Sequence, residues 1–218
     1  MLLFPTLCVD NFFNTPDQVL AIAKECPMEK TQTRPGTRSP CLSQINFDFY
    51  NYVNTKLIRV FYPSKDFSYS ATTHFQSTFP DDNILDGWVH LDNDYMFTAI
   101  VYLNHCNVGT SIFTKRNEFT VPDNRGDVKH NYFKKHESMD NPERLEVKEV
   151  RDKVNSQFDE SIIVKGRYNR MMCFDGNSYH SIQDGICDEE RLILISFIKD
   201  VRLHGEKTVF PIPQMNLL

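Results

Sequence analysis

The stretch Trp88-Val89-His90-Leu91-Asp92, taken together with the distant Ser178-Tyr179-His180-Ser181, indicates how the chain is organised. On an extended strand, alternate side chains point to the same face, so His90 and Asp92 would lie side by side. His180 lies 90 residues after His90 and is the third candidate ligand. Two imidazoles and one carboxylate on one face of a divalent ion leave other coordination positions open. The sequence therefore predicts a metal site at His90, Asp92 and His180.

The length and composition of the chain limit which binding partners and which cellular compartment we expect. At 218 residues the chain suits one large β domain. The net charge is −5 without a basic block, which excludes an extended phosphate-binding surface, so we expect no nucleic-acid partner. No run reaches the roughly 20 apolar residues of a membrane span, and the apolar N-terminus lacks the basic region of a signal peptide. We expect a soluble, cytoplasmic protein with no membrane partner.

The six cysteines have no C-x-x-C pair and no regular spacing. A chain of this length does not need disulfides for stability, so we expect reduced thiols.

Two helices are predicted in the N-terminal part. Thr15-Pro16-Asp17-Gln18 has the pattern of a capping box at a helix start, with proline at the first helical position. A second amphipathic stretch runs from about residue 43 to residue 59, with one apolar side. We expect both helices to pack on a sheet.

Strand patterns begin at Phe67, where apolar and polar residues alternate as far as Phe79. At least seven strands follow from the pattern up to residue 200. Residues 115–160 lack the alternating apolar and polar pattern of a strand and include a predicted helix from residue 141. We interpret them as a helical insertion, either a solvated excursion or a lid over a substrate. His130 and His136 lie there and are expected to be exposed.

We therefore predict a single domain over residues 1–218. Its parts are an N-terminal strand and helices (1–66), a β core (67–200) that contains the insertion (115–160), and a C-terminal tail (201–218).

Several motifs in a fixed order carry a resemblance to a known superfamily. They are, in chain order, His90-x-Asp92, the strand Ala99-Ile100-Val101-Tyr102-Leu103-Asn104, Gly109-Thr110, and His180 followed 11 residues later by Arg191. This order resembles the iron(II)/2-oxoglutarate-dependent dioxygenase superfamily and is most similar to its prolyl-hydroxylase-like branch. The resemblance covers residues 88 to 200.

The resemblance implies a mainly β fold with N-terminal helices: a double-stranded β-helix (a cupin-like jelly roll) with packing helices and a helical insertion. His90, Asp92 and His180 would bind Fe(II) as the catalytic centre. Arg191 would pair with the far carboxylate of the cosubstrate 2-oxoglutarate, since a guanidinium presents two parallel donors. Tyr102 would reach the same carboxylate, unless it is a core tyrosine of a central strand. With O₂, such an enzyme oxidises its substrate, usually by hydroxylation, and forms succinate and CO₂.

Other functions remain open at this stage. His90 and His180 could simply be buried and hydrogen-bonded, in a catalytically inactive jelly-roll binding or structural protein. A zinc hydrolase could use the same three ligands, but it gives Arg191 no obvious role. Within the oxygenase hypothesis the substrate could be a small molecule or a protein side chain, and the oligomeric state is unknown.

Overall fold

The computed structural model describes residues 4–30, 36–79, 87–116, 149, 151–183 and 189–205. Three helices precede the long strands: α1 (Pro16–Glu25), α2 (Leu42–Ile45) and α3 (Phe47–Arg59). Residues 151–155 are also helical. The strands are β1 (Leu7–Val9), β2 (Glu29–Lys30), β3 (Thr37–Arg38), β4 (Phe67–Thr78), β5 (Phe97–Tyr102), β6 (Thr110–Lys115), β7 (Phe158–Val164), β8 (Arg170–Asp175), β9 (Tyr179–Ile182) and β10 (Arg191–Leu203).

Within these ranges the strands form two antiparallel sheets. The main sheet has the strand order β1-β8-β5-β10-β4-β3-β2, and the smaller sheet has the order β7-β6-β9. The long strand β10 pairs with β5 on one side and with β4 on the other, so it lies at the centre of the main sheet. The prediction of a mainly β fold with N-terminal helices is confirmed.

The two faces of the main sheet bury different partners. On β5, Ala99 and Val101 join a core that includes the apolar sides of α1 and α3. The alternate residues Ile100 and Tyr102 pack instead against Ile112 of the smaller sheet. The helices therefore cover the outer face of the main sheet. The inner face, which we call the cavity face, looks toward β6, β7 and β9.

A buried polar network joins α3 to the main sheet. The side-chain amide of Asn54, which has no exposed surface, donates to the carbonyl of Tyr50 and to the Thr73 hydroxyl at 2.9 Å each. Its side-chain oxygen accepts the Ser196 hydroxyl at 2.5 Å. Thr73 and Ser196 also contact each other at 3.0 Å, so the hydrogen-bonding groups of α3, β4 and β10 satisfy one another.

Some local predictions need correction. Thr15 makes no side-chain cap at the start of α1, so the capping box does not form. The second predicted helix is divided at Asn46, whose side chain accepts the backbone N–H of Phe49 and caps α3. Residues 88–92 are not a regular strand: they make a single bridge, between His90 and His180.

Among the described cysteines, the prediction of reduced thiols is wrong for Cys106. Cys8, Cys26, Cys41 and Cys173 are free thiols, but Cys106 is disulfide-bonded to a partner outside the described residues. Spacing along the chain could not show this, because a disulfide depends on which thiols the fold brings together.

Several predicted features lie outside the described residues. They are most of the insertion at 115–160, with His130 and His136, the start of its helix at residue 141, and the end of the C-terminal tail. Among the described helices, none combines the length and apolar character needed to cross a membrane.

Replacing Asn54 by alanine tests the polar network. Thr73 and Ser196 would lose a shared partner in a dry environment, so we expect the free energy of unfolding to fall by about 1–3 kcal/mol. Urea denaturation measures this change. The matched control is Asn51→Ala on the same helix, where a half-buried asparagine accepts one hydrogen bond, from Tyr69. An equal decrease in the free energy of unfolding in the two variants would show that the network contributes no more to stability than a single hydrogen bond.

Candidate metal centre

Two chain segments far apart in sequence are joined at one residue pair. The backbone N–H of His90 donates to the carbonyl of His180 at 3.0 Å, and the N–H of His180 donates back at 2.9 Å. His180 is itself fixed on β9, where it pairs with Ile112 of β6. The position of His90 is therefore set by the smaller sheet.

Asp92 is held from both its backbone and its side chain. Its backbone N–H donates to the carbonyl of Gly176 at 2.8 Å. A Cβ on Gly176 would lie 2.7 Å from the Asp92 carbonyl oxygen and 2.0 Å from that of Tyr95, so only glycine permits this close approach. The hydroxyl of Thr98, on the cavity face of β5, donates to Asp92 Oδ2 at 2.6 Å.

These contacts bring three potential ligands together. His180 Nε2 lies 3.4 Å from Asp92 Oδ2, and His90 Nε2 lies 4.0 Å from Asp92 Oδ1. One donor atom from each of the three residues lies within 4.8 Å of the others. Atoms that bind one ion at about 2.0–2.2 Å on one face lie about 3 Å apart, so binding an ion would draw the three side chains slightly closer together.

The other ring nitrogens of both histidines face backbone carbonyls. His90 Nδ1 lies 2.7 Å from the Trp88 carbonyl, and His180 Nδ1 lies 2.9 Å from the Ser178 carbonyl. Because a carbonyl only accepts, each Nδ1 carries a proton, so in the neutral imidazole Nε2 is the nitrogen whose lone pair is available to a metal. This is the orientation of metal-binding histidines, whose second nitrogen is fixed by a hydrogen bond.

The three side chains differ in exposure. His180 is buried, with its ring 4.3 Å from both the Phe174 and the His90 rings. The side chain of Asp92 is 13% exposed, whereas that of His90 is 34% exposed. The group is therefore closed on the His180 side and open on the His90 side, which is where a substrate could approach.

A buried cation lies further along the same face. Arg191, at the start of β10, is 4% exposed and donates through Nε to the carbonyl of Val108 at 3.3 Å. Its guanidinium lies 5.4 Å from the centroid of the Tyr102 ring, and the Tyr102 hydroxyl contacts Thr110 at 2.9 Å. Burial lowers the pKa of Arg191, and the proximity of Tyr102 opposes that shift.

No acidic residue in the described part of the chain forms an ion pair with Arg191. The carboxylate of Glu190, the adjacent residue, accepts a hydrogen bond from the Ser77 hydroxyl instead. A buried charge is normally paired, because desolvation is costly. An unpaired buried guanidinium is thus suited to an anionic ligand.

Sequence reasoning missed two side chains that support these groups. Thr98 orients Asp92, and Thr110 contacts Tyr102. Thr98 has the same strand parity as Tyr102, but parity alone could not show that its hydroxyl reaches Asp92.

Three further polar or aromatic side chains, those of Arg170, Trp88 and His74, make contacts that stabilise the fold. Arg170 forms a two-bond ion pair with Asp10, which lowers the pKa of that carboxyl, and Trp88 is buried against Val154 and Phe158. His74 is half-buried and its Nδ1 lies 2.9 Å from the Ser39 carbonyl.

Comparison with solved structures shows the fold of the 2-oxoglutarate/Fe(II) oxygenases. The non-haem α-ketoglutarate-dependent epimerase SnoN of nogalamycin biosynthesis is 12% identical, with a TM-score of 0.56 over 96% of this chain and 91% of that one. HygX from Streptomyces hygroscopicus, with nickel and 2-oxoglutarate bound, is 10% identical, with a TM-score of 0.56 over 89% and 82%. The carbocyclase SnoK is 11% identical, with a TM-score of 0.54 over 89% and 79%.

The family itself is identified from the sequence. Residues 4–191 match the family of unknown function DUF6445, and the chain belongs to that family. A search of curated proteins found no match.

Replacing Thr98 by valine tests whether its hydroxyl orients a metal ligand. Valine has the same shape but cannot donate to Asp92, so we expect affinity for a divalent ion to fall by about 10–100-fold. Titration of the metal-free protein with Mn(II) measures the affinity. Thr98→Ser keeps the hydroxyl and serves as the control. Equal Mn(II) affinity in the valine and serine variants would contradict this role.

Proposed function

We propose that the protein is an Fe(II)- and 2-oxoglutarate-dependent oxygenase. The observation that carries the proposal is the buried Arg191, unpaired by any described acid, on the cavity face that looks toward a convergent His-Asp-His group. A metal site alone fits many functions. A metal site with a buried anion-binding guanidinium beside it fits a cosubstrate that binds the metal at one end and carries a carboxylate at the other.

The donor set supports ferrous iron. Two imidazole nitrogens and one carboxylate, with the other positions open, form the facial triad of non-haem iron oxygenases. His90, Asp92 and His180 would hold the ion. The fixed Nδ1 protons of both histidines and the Thr98 hydroxyl would keep the three ligands oriented before the metal binds.

The far end of the cavity supports 2-oxoglutarate. Thr98, beside Asp92, and Tyr102, beside Arg191, are four residues apart on β5, about 13 Å at ~3.3 Å per residue. If Arg191 and the three ligands reach inward from the two ends of this span, a five-carbon dicarboxylate would fit between them. Arg191 would receive its far carboxylate, and Tyr102 and Thr110 would lie beside it.

Iron and 2-oxoglutarate would supply the oxidation with O₂, forming succinate and CO₂ while the substrate is oxidised, usually by hydroxylation. The residues of the chain bind and orient. His180 and Phe174 close one side against water, and the exposed edge of His90 leaves an opening for the substrate. Excluding water protects a reactive centre from side reactions.

The proposal also covers the domain architecture, the branch of the superfamily and the type of substrate. The two sheets would form one double-stranded β-helix domain over residues 1–218, with 115–160 as an insertion. The prolyl-hydroxylase-like branch stays a prediction. The substrate would be a small molecule or a protein side chain; one structure of HygX holds hygromycin B. A zinc hydrolase or an inactive binding protein would leave the buried Arg191 without a ligand.

The first test is anaerobic addition of Fe(II) and 2-oxoglutarate to the metal-free protein. We expect the weak visible charge-transfer band of the iron–2-oxoglutarate chelate, and we expect His180→Ala to abolish it because one of three protein ligands is lost. The control is His105→Ala, an exposed histidine outside the site. A folded wild-type protein that takes up no iron and shows no band would refute the proposal and favour a binding protein.

The second test replaces Arg191 by methionine. Loss of the charge-assisted contact should weaken 2-oxoglutarate binding by about 2–5 kcal/mol, which is roughly 30-fold or more. The cosubstrate-free variant should unfold no more easily than the wild type, since an apolar side chain replaces an unpaired buried cation.

Calorimetric titration and thermal unfolding give the two readouts. Arg202→Met, an exposed arginine of the same strand, is the control. Marked destabilisation of Arg191→Met with unchanged 2-oxoglutarate affinity would assign Arg191 to the structure alone.

A further inference from the structure

A second arginine, Arg38, lies buried on the cavity face with no acidic partner among the described residues. Arg38 of β3 is 8% exposed and pairs with Gln76 of β4. Gln76 pairs with Ile193, and Ile193 pairs with Tyr102, so the row continues across the sheet to the residue beside Arg191. Residues directly opposite each other share a face. Arg38 therefore belongs to the inner surface and not to the helix-covered side.

One edge of the Arg38 guanidinium is occupied and the other is not. Nε donates to the Gln76 side-chain oxygen at 3.1 Å, and Nη2 contacts the same oxygen. Nη1 is buried and has no hydrogen-bond partner among the described residues. Since Gln76 is neutral, it orients the guanidinium without balancing its charge. The structure describes no acid paired with Arg38 either.

The guanidinium lies on the part of the cavity face that is close to the candidate metal centre. Its central carbon lies 5.7 Å from the centroid of the Phe197 ring. Phe197 pairs with Thr98 on the neighbouring strand, and Thr98 donates to Asp92. With strands about 5 Å apart, the guanidinium is on the order of 10 Å from the Asp92 carboxylate. Contact with the Phe197 ring stabilises the cation but does not satisfy the Nη1 protons.

We propose that Arg38 binds an anionic group of the substrate, a carboxylate, phosphate or sulfate, through the edge formed by Nη1 and Nη2. This inference rests on the proposed oxygenase function and assigns its substrate class. The substrate is a small anionic molecule whose charged group lies several bonds from the carbon that is oxidised. Arg191 takes the cosubstrate and Arg38 takes the substrate, so the two guanidiniums bind different anions on one surface.

The geometry suits this division. A guanidinium edge with two N–H groups matches the two oxygens of a carboxylate or phosphate. Gln76 fixes the opposite edge in advance, which reduces the entropy lost when the anion binds. Phe197, with the Tyr95 ring 5.0 Å away, provides an apolar wall between the anion site and the metal ligands. An apolar substrate body between its charged group and the metal would lie against that wall.

The test uses inorganic sulfate as the probe and the variant Arg38→Gln. Calorimetric titration is done on the protein saturated with Mn(II) and 2-oxoglutarate, so that Arg191 is occupied. We expect saturable sulfate binding in the wild type, weakened about tenfold or more in Arg38→Gln. Arg202→Gln, an exposed arginine on β10, should bind like the wild type. Arg38→Lys keeps the positive charge but lacks the two parallel N–H donors of a guanidinium. It should therefore show only part of the wild-type affinity for sulfate.

Two outcomes overturn the inference. One is equal sulfate binding by the wild type and Arg38→Gln, or no saturable binding by the wild type. The other is a loss of 2-oxoglutarate affinity in Arg38→Gln as large as in Arg191→Met, which would assign Arg38 to the cosubstrate.

Failure of the oxygenase proposal is recognised separately. If the wild type shows no iron–2-oxoglutarate band, the sulfate titration is carried out in the Arg191→Met background. There Arg38 is the one remaining buried guanidinium of the described cavity face, and the same comparison with Arg38→Gln decides whether it binds an anion.

Discussion

The site depends on the two backbone hydrogen bonds that His90 and His180 exchange. They join a short extended segment before β5 to the edge strand of the smaller sheet, across 90 residues of chain. A reciprocal pair fixes both the separation and the register of two residues, because a shift by one position would turn a side chain to the opposite face. The two imidazoles lie 4.3 Å apart as a consequence, and Asp92, two residues on, is placed beside them.

Around this pair, polar groups are satisfied in successive layers. Each ligand side chain has a partner that orients it: a backbone carbonyl for each imidazole and the Thr98 hydroxyl for Asp92. Further out, the Asn54 network fixes α3 against β4 and β10, so the sheet that carries Thr98 is held from its outer face as well. Preorganisation of this kind lowers the cost of binding an ion or ligand.

Two buried arginines on the cavity face differ from these satisfied polar groups. Arg38 and Arg191 are each at least nine-tenths buried, and neither has an acidic partner in the described part of the chain. Folding could have avoided this cost with apolar residues of similar size. Retaining both guanidiniums on one inner surface, in a chain whose net charge is negative, is consistent with a surface that binds anions. The three candidate metal ligands and the two arginines together therefore describe the candidate site better than the candidate ligands alone.

Much of the fold followed from period-two alternation, which is a local property of each strand. Residues 67–79 alternate as β4 does, and the apolar run around Ile100 corresponds to β5, buried on both faces. The errors arose where tertiary contacts override local preference. Thr15 is of a residue type that often caps helices, but its side chain makes no capping hydrogen bond. Cys106 is disulfide-bonded although the spacing of the cysteines along the chain gives no sign of it. The assignment of residues 88–92 to a regular strand failed for the same reason, since a segment that makes one bridge has no ladder to extend it.

The sequence by itself determined the class of fold and the chemical types available for a metal site, because strand periodicity and ligand chemistry are carried by nearby residues. It could nominate His180 and Arg191 but not place them, since that depends on pairing between strands distant in the chain. Only the tertiary structure decided that Thr98 contacts Asp92, that Glu190 contacts Ser77 and not Arg191, and that Arg38 belongs to the cavity face. Arg38 lies in a two-residue strand with no motif, so its burial and its open edge exist only once β3 has joined the sheet.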